Sequence, residues 1–195
     1  MTPLELFANA FNLASVALAR RNSVHTWWTG IVGVSLYGVL FFGERLYADT
    51  VLQGFFFASC VAGWWQWQRG GAGATELPVT TLTMGGRVAV VAGVAAASVS
   101  AGWMFATYTD AALPFADSFV LGGSVVAQLL LVRRKLDSWA VWIAVDVVAV
   151  VVYAVKELYL TAAVYAVLLV LCVLAVSEWR RLLANAPGAA SPVAL

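Results

Sequence analysis

Long apolar stretches alternate with short polar breaks along nearly the whole chain. Seven stretches approach the roughly 20 residues that a helix needs to cross a bilayer: 4–20, 26–43, 48–68, 85–107, 115–132, 137–155 and 158–180. The breaks hold most of the charges, as in Arg20-Arg21-Asn22, Glu44-Arg45 and Arg133-Arg134-Lys135. The pattern predicts an all-α integral membrane protein of seven transmembrane helices.

The same pattern repeats. Shifting the chain by 112 residues places Phe7 on Phe119, Arg21 on Arg133, Trp27 on Trp139, Cys60 on Cys172, Trp67 on Trp179 and Arg69 on Arg181, without a gap. Trp and Cys are rare, so their coincidence at one offset marks an internal duplication. The units are residues 4–69 and 115–181, each with three spans. Two adjacent three-span units would lie inverted in the membrane, and one span between them restores a common direction. Residues 85–107 supply it, giving two parallel three-helix repeats joined by a linker helix, a 3+1+3 order. The linker is rich in small residues (Gly93, Ala95, Ala96, Ala97, Ser98, Ser100), which suit close helix packing. The tail 184–195, with Pro187, Gly188 and Pro192, reads as disordered.

Few polar side chains interrupt the spans, and they fall on helical faces. Asp146 is the one charged residue near the middle of a span. A carboxylate there costs several kcal/mol, order of magnitude, unless it meets a wet cavity or a partner, so it reads as a ligand contact or proton site; the alternative is a polar clasp between helices. Trp139, Trp142, Asp146, Tyr153 and Lys156 share one face of the sixth span. Gln53, Phe57, Cys60, Trp64 and Trp67 share one face of the third. Aromatic faces stack on flat heterocycles, at about 1–3 kcal/mol each by analogy with bases. A carboxylate or amide pairs with sugar hydroxyls. The two faces suit a nucleoside-like or heteroaromatic solute. Asn9 and Asn12 on the first span, Tyr37 on the second, Gln128 on the fifth and Tyr165 on the seventh either line the same cavity or join helices. The equivalent of Asp146 in the first unit is Val34, and that of Gln53 in the second is Tyr165. The site is therefore expected to be asymmetric and dominated by the third and sixth spans.

Composition agrees. The chain is 63% hydrophobic and 11% charged, with a mean hydropathy of +0.89; a soluble domain carries about 25% charged residues. The net charge of +1 argues against a nucleic-acid partner. Nine of the eleven basic residues fall at one end of the spans, with only Arg45 and Lys156 at the other. By the positive-inside rule the crowded end is cytoplasmic, the N-terminus outside and the C-terminus inside. All tryptophans but Trp103 lie near the crowded end, where an interfacial aromatic belt is expected in any case; Trp64 and Trp142 are the best placed for a ligand. Cys60 and Cys172 sit in apolar runs and read as small buried residues. The glycine-rich stretch 70–74 lacks the Lys-Ser/Thr of a phosphate-binding loop, and His25 stands without a metal or catalytic motif. Neither a cofactor, a metal nor enzyme activity is expected.

Two segments are similar to signatures of the PnuC-type vitamin transporter family. One runs from Leu52-Gln53-Gly54-Phe55 through Gly63-Trp64-Trp65-Gln66-Trp67-Gln68-Arg69. The other runs from Asp137-Ser138-Trp139 through Trp142 and Asp146 to Tyr153, Lys156 and Tyr165. The resemblance covers nearly the whole chain. It implies a SWEET-like fold, a homotrimer in the bacterial inner membrane, and facilitated diffusion of nicotinamide riboside. It also implies trapping of the substrate by a cytoplasmic kinase. Carried over, the implied site is Gln53, Trp64, Trp67, Trp142, Asp146 and Tyr153, with Lys156 in addition. Some relatives have Asn where this chain has Asp146, and relatives are also associated with thiamine or riboflavin. The expectation is thus a uniporter for nicotinamide riboside. Its rivals are another vitamin, proton-coupled transport through Asp146, and a structural or receptor-like membrane protein whose polar faces only join helices.

Overall fold

The computed structural model describes residues 2–69 and 77–185. The glycine-rich stretch 70–74 and residues 186–195 of the tail lie outside them. The described residues form seven helices: α1 Pro3–Arg20, α2 His25–Gly43, α3 Tyr47–Arg69, α4 Met84–Tyr108, α5 Pro114–Val132, α6 Asp137–Val155 and α7 Tyr159–Ala184. Local chemistry sets several of their ends. The Thr2 and Thr83 hydroxyls accept from the Glu5 and Gly86 amides and cap α1 and α4, and proline opens α1 and α5.

Five helices, α2 and α4 to α7, are long and apolar enough to cross a membrane. α1 and α3 are more polar, with Glu5, Asn9 and Asn12 on one and Asp49, Gln53, Gln66 and Gln68 on the other. Both lie against α2. Their 18 and 23 residues correspond to about 27 and 35 Å at 1.5 Å per residue, comparable to the hydrocarbon core.

The 112-residue offset reappears in the backbone. Among the described residues, four that are not glycine have positive φ: Asn22 and Arg134 after α1 and α5, and Arg45 and Glu157 after α2 and α6. Each ends its helix in the same motif. The next amide reaches back five residues: Ser23 to Leu18 O, Lys135 to Leu130 O, Leu46 to Phe41 O and Leu158 to Tyr153 O.

Packing is sequential within each unit, α1 on α2 on α3 and α5 on α6 on α7, and α4 lies on α5. The units meet along two seams, α1 with α7 and α3 with α5. Each seam joins the first helix of one unit to the third of the other, as a two-fold arrangement requires. The core spans both seams at the arginine-rich end. Trp27 meets Trp67 edge to face, at 5.0 Å between ring centroids and 87°. Trp67 lies 6.0 Å from Trp179, and Trp179 meets Trp139 at 5.3 Å and 82°. All four indoles are at most 2% exposed. Trp67 Nε1 donates across one seam to Val132 O at 3.1 Å, and Trp179 Nε1 donates across the other to Ala19 O at 3.1 Å and Arg20 O at 3.2 Å. These are the same bond made twice, because Arg20 and Val132 are equivalent in the repeat.

Close approach between helices depends on glycine at particular places. A Cβ on Gly63 would stand 2.5 Å from the Trp27 ring. Between α1 and α2, Phe11 packs against Gly33, whereas at the equivalent places in the second unit Gly123 receives Val145, 2.5 Å from a Cβ built there. The duplicated frame has exchanged large for small on both sides of one contact.

Residues 77–83 form a strap over the α5–α6 turn. Thr80 donates its amide to Arg134 O and accepts that of Leu136, and Lys135 Nζ reaches Thr80 Oγ1 at 2.9 Å. The Arg134 guanidinium donates to Leu77 O and lies 4.3 Å over the Trp67 ring. Asp137, first residue of α6, accepts from the Leu82 amide and Arg87 Nε, both at 2.7 Å.

Candidate functional site

Asp146 is the third of the five polar and aromatic residues along one face of α6. α6 buries Ser138, Trp139, Val145, Asp146, Ala149 and Val152. Asp146 is 2% exposed, deep in an apolar helix. The Cys172 thiol of α7 lies beside its carboxylate, whose Oδ2 has no hydrogen-bond partner among the described residues. A thiol is a weak donor, so the carboxylate retains most of its capacity to accept. A buried acceptor left unpaired costs about 1–3 kcal/mol, more when charged.

Toward the end opposite the arginines, three tyrosines gather from three helices. Tyr153 of α6 and Tyr165 of α7 stack at 5.1 Å with planes 24° apart. Tyr37 of α2 lies near both from the other unit. Its hydroxyl donates to Asn9 Oδ1 at 2.7 Å, and Asn9 in turn donates to Glu5 O one turn earlier. Tyr165 also lies near Asp146. Gln53 of α3 passes Gly38 of α2, its Cβ 3.7 Å from where a Cβ of Gly38 would be. Carboxylate, phenols and amide therefore come from both units.

The structure divides the remaining sequence candidates. Gln128 is 7% exposed and donates to Ser59 Oγ at 3.0 Å and toward Cys60 Sγ at 3.8 Å, so it fastens α5 to α3. Trp67 belongs to the indole core, with its N–H committed to Val132 O. Trp142 is half-buried and packs on that core, between it and Asp146 along α6. Trp64 stands 37% exposed on the open edge of the α3 face, beside Phe57 at 44% and apart from buried Cys60 and Trp67. Lys156 Nζ is paired with Asp117 at 2.7 Å at the start of α5, so its charge already has a partner. Asn12 is half-buried where α1 crosses Gly33.

Cys172 and Tyr165 were weaker signals in the sequence. Cys172 was legible only as a small buried residue. Tyr165 was legible as a residue that either lines the cavity or joins helices, and in the structure it stacks on Tyr153 of the neighbouring helix. An apolar groove of about 330 Å³, lined by Arg87, Val88, Val91, Ala92 and Ala95, lies on α4 and does not include the polar cluster. No group of His, Cys, Asp and Glu among the described residues could hold a metal.

Such a polar-aromatic cluster between two parallel helical units suits a solute path through a membrane. Comparison with known proteins decides the family: the nicotinamide mononucleotide transporter family matches residues 2–181. The chain belongs to that family. It is a multi-pass membrane transporter, not an enzyme. Among its relatives within the PnuC group is the nicotinamide riboside transporter PnuC of Escherichia coli (strain K12), 28% identical over 193 residues, covering 85% of this chain and 80% of that one. The riboflavin/roseoflavin transporter RibM of Streptomyces davaonensis is 29% identical over 150 residues, covering 75% and 70%. The crystal structure of the vitamin B3 transporter PnuC has the same fold, with a TM-score of 0.74 at 23% identity, over 92% of this chain and 81% of that one.

Proposed function

We propose that this transporter carries nicotinamide riboside by facilitated diffusion, binding it between the two helical units. The observation that carries the reading is Asp146, a buried carboxylate with an unpartnered oxygen beside the stacked Tyr153–Tyr165 pair. Nicotinamide riboside is a flat cation bearing an amide and sugar hydroxyls. Asp146 answers the charge, the phenols and Trp142 answer the ring, and Gln53 answers the hydroxyls or the amide. The relationship to the Escherichia coli nicotinamide riboside transporter supports the choice. The relationship to RibM favours riboflavin as the second reading. Riboflavin is neutral, and a buried carboxylate selects against it relative to a cation.

In this reading the arginine-rich end faces the cytoplasm of a bacterial cell, and a kinase there traps the substrate. Asp146 acts as a ligand rather than as a proton carrier, and the protein assembles as a trimer with one path per subunit. Uptake into proteoliposomes tests the transport reading. Nicotinamide riboside is expected to equilibrate across the membrane, to accumulate further only when a nicotinamide riboside kinase and ATP are enclosed, and to ignore an imposed pH gradient. Uptake no faster than in protein-free liposomes would refute the substrate, and accumulation driven by the pH gradient would refute the uniport mechanism.

A further inference from the structure

The two seams between the units are alike in their tryptophan bonds and unlike in everything around them. At the α3–α5 seam the Trp67–Val132 bond lies under the Arg134 guanidinium, which also ties Trp67 to the strap through Leu77 O. The strap is fastened in turn to the α5–α6 turn through Thr80 and to Asp137 of α6 through Leu82, and Arg87 of α4 pairs with the same Asp137. Deeper along the same seam, Gln128 reaches Ser59 and Cys60. The α1–α7 seam has no strap over it among the described residues. Beside the Trp179 bonds it is held by an ion pair, Arg20 with Glu178 at 2.8 Å, with side chains 26% and 32% exposed. The repeat denies the other seam this pair, because the equivalents of Arg20 and Glu178 are Val132 and Gln66.

We infer that the arginine-rich end opens at the α1–α7 seam, with Arg20–Glu178 as its latch and the strapped α3–α5 seam as its hinge. The inference rests on the transport reading, since a transporter that delivers its solute must open this end. A part-exposed ion pair that water can reach is weak and reversible, which suits a latch. Buried cross-bonds to a fixed strap are costly to break one at a time, which suits a hinge. Opening at α1–α7 lifts α1 from α7 and uncovers the route along α7 from Trp179 to Cys172, the residue that touches Asp146.

The native cysteines report on the two seams separately. Cys60 and Cys172 are equivalent in the repeat and 5% and 2% exposed. Each lies seven residues before its seam tryptophan, about 10 Å along the helix axis. The test measures maleimide labelling rates of full-length protein in nanodiscs, without substrate, in Cys60→Ala and Cys172→Ala backgrounds. Glu178→Gln is expected to speed labelling of Cys172 about two- to fivefold, the population change a weak, water-accessible pair can produce, and to leave Cys60 unchanged. Arg20→Gln should do the same, and combining Arg20→Glu with Glu178→Arg should return the rate toward the parent. Equal acceleration of both cysteines, acceleration of Cys60 alone, or no acceleration of either in variants with unchanged thermal stability would overturn the assignment. The experiment uses no solute, so a wrong choice of substrate would appear in the uptake assay and not here.

Discussion

At the scale of single residues, burial and partnership separate side chains that look alike in the sequence. Trp67 and Trp64 share a helical face, yet one is locked in the indole core and the other stands on an open edge. Asp146 was legible as the mid-span acid because nothing else in its surroundings is charged. Its thiol partner was not, because a cysteine among Leu and Val leaves no polar periodicity to read. Glycine was also opaque, since its role depends on what approaches it. Gly63 and Gly54 both lie on α3, but a Cβ on Gly63 would meet the Trp27 ring at 2.5 Å, while nothing lies within 4 Å of one on Gly54. The Trp27 ring is buried and rigid, so Gly63→Ala should destabilise the protein by about 1–3 kcal/mol. Gly54→Ala should be neutral or stabilising by about 0.5–1 kcal/mol, from helix propensity. Thermal unfolding in detergent checks both, and equal effects would contradict the packing described here.

Among the elements, spans and their order followed from apolar length, and the bounds of α2 and α6 repeat at the same offset as the sequence identities. The helix ends were harder to anticipate. A left-handed residue after a helix is usually Gly or Asn, and only Asn22 of the four fits; Arg45, Arg134 and Glu157 bear no such mark. Their conformation is imposed by the five-residue back-bonds that close each helix. An L-residue with a Cβ is strained there, so Glu157→Gly at this exposed turn should stabilise the protein by about 0.5–1 kcal/mol. A melting temperature lowered by that substitution would contradict the turn geometry. The strap was illegible for a different reason. Its bonds join residues 77–82 to residues 134–137, and no local pattern signals a contact made at that separation.

For the whole molecule, duplication provides a two-fold frame and divergence provides the chemistry. The frame is the indole core and its two crosswise bonds, legible in the sequence as paired tryptophans but not as bonds. The divergence is Asp146 against Val34, Tyr165 against Gln53, and Arg20 with Glu178 against Val132 with Gln66. The carboxylate and the stacked phenols thus lie in one unit, and Tyr37 and Gln53 in the other. The central claim is that Asp146 holds a cationic riboside between the units. Calorimetric titration of the purified protein with nicotinamide riboside, for the parent and Asp146→Asn, tests it most directly. The account predicts saturable binding to the parent and affinity at least about tenfold weaker in the variant, the loss of one charge-assisted interaction. Equal affinity in both proteins, or no binding to the parent, would contradict it.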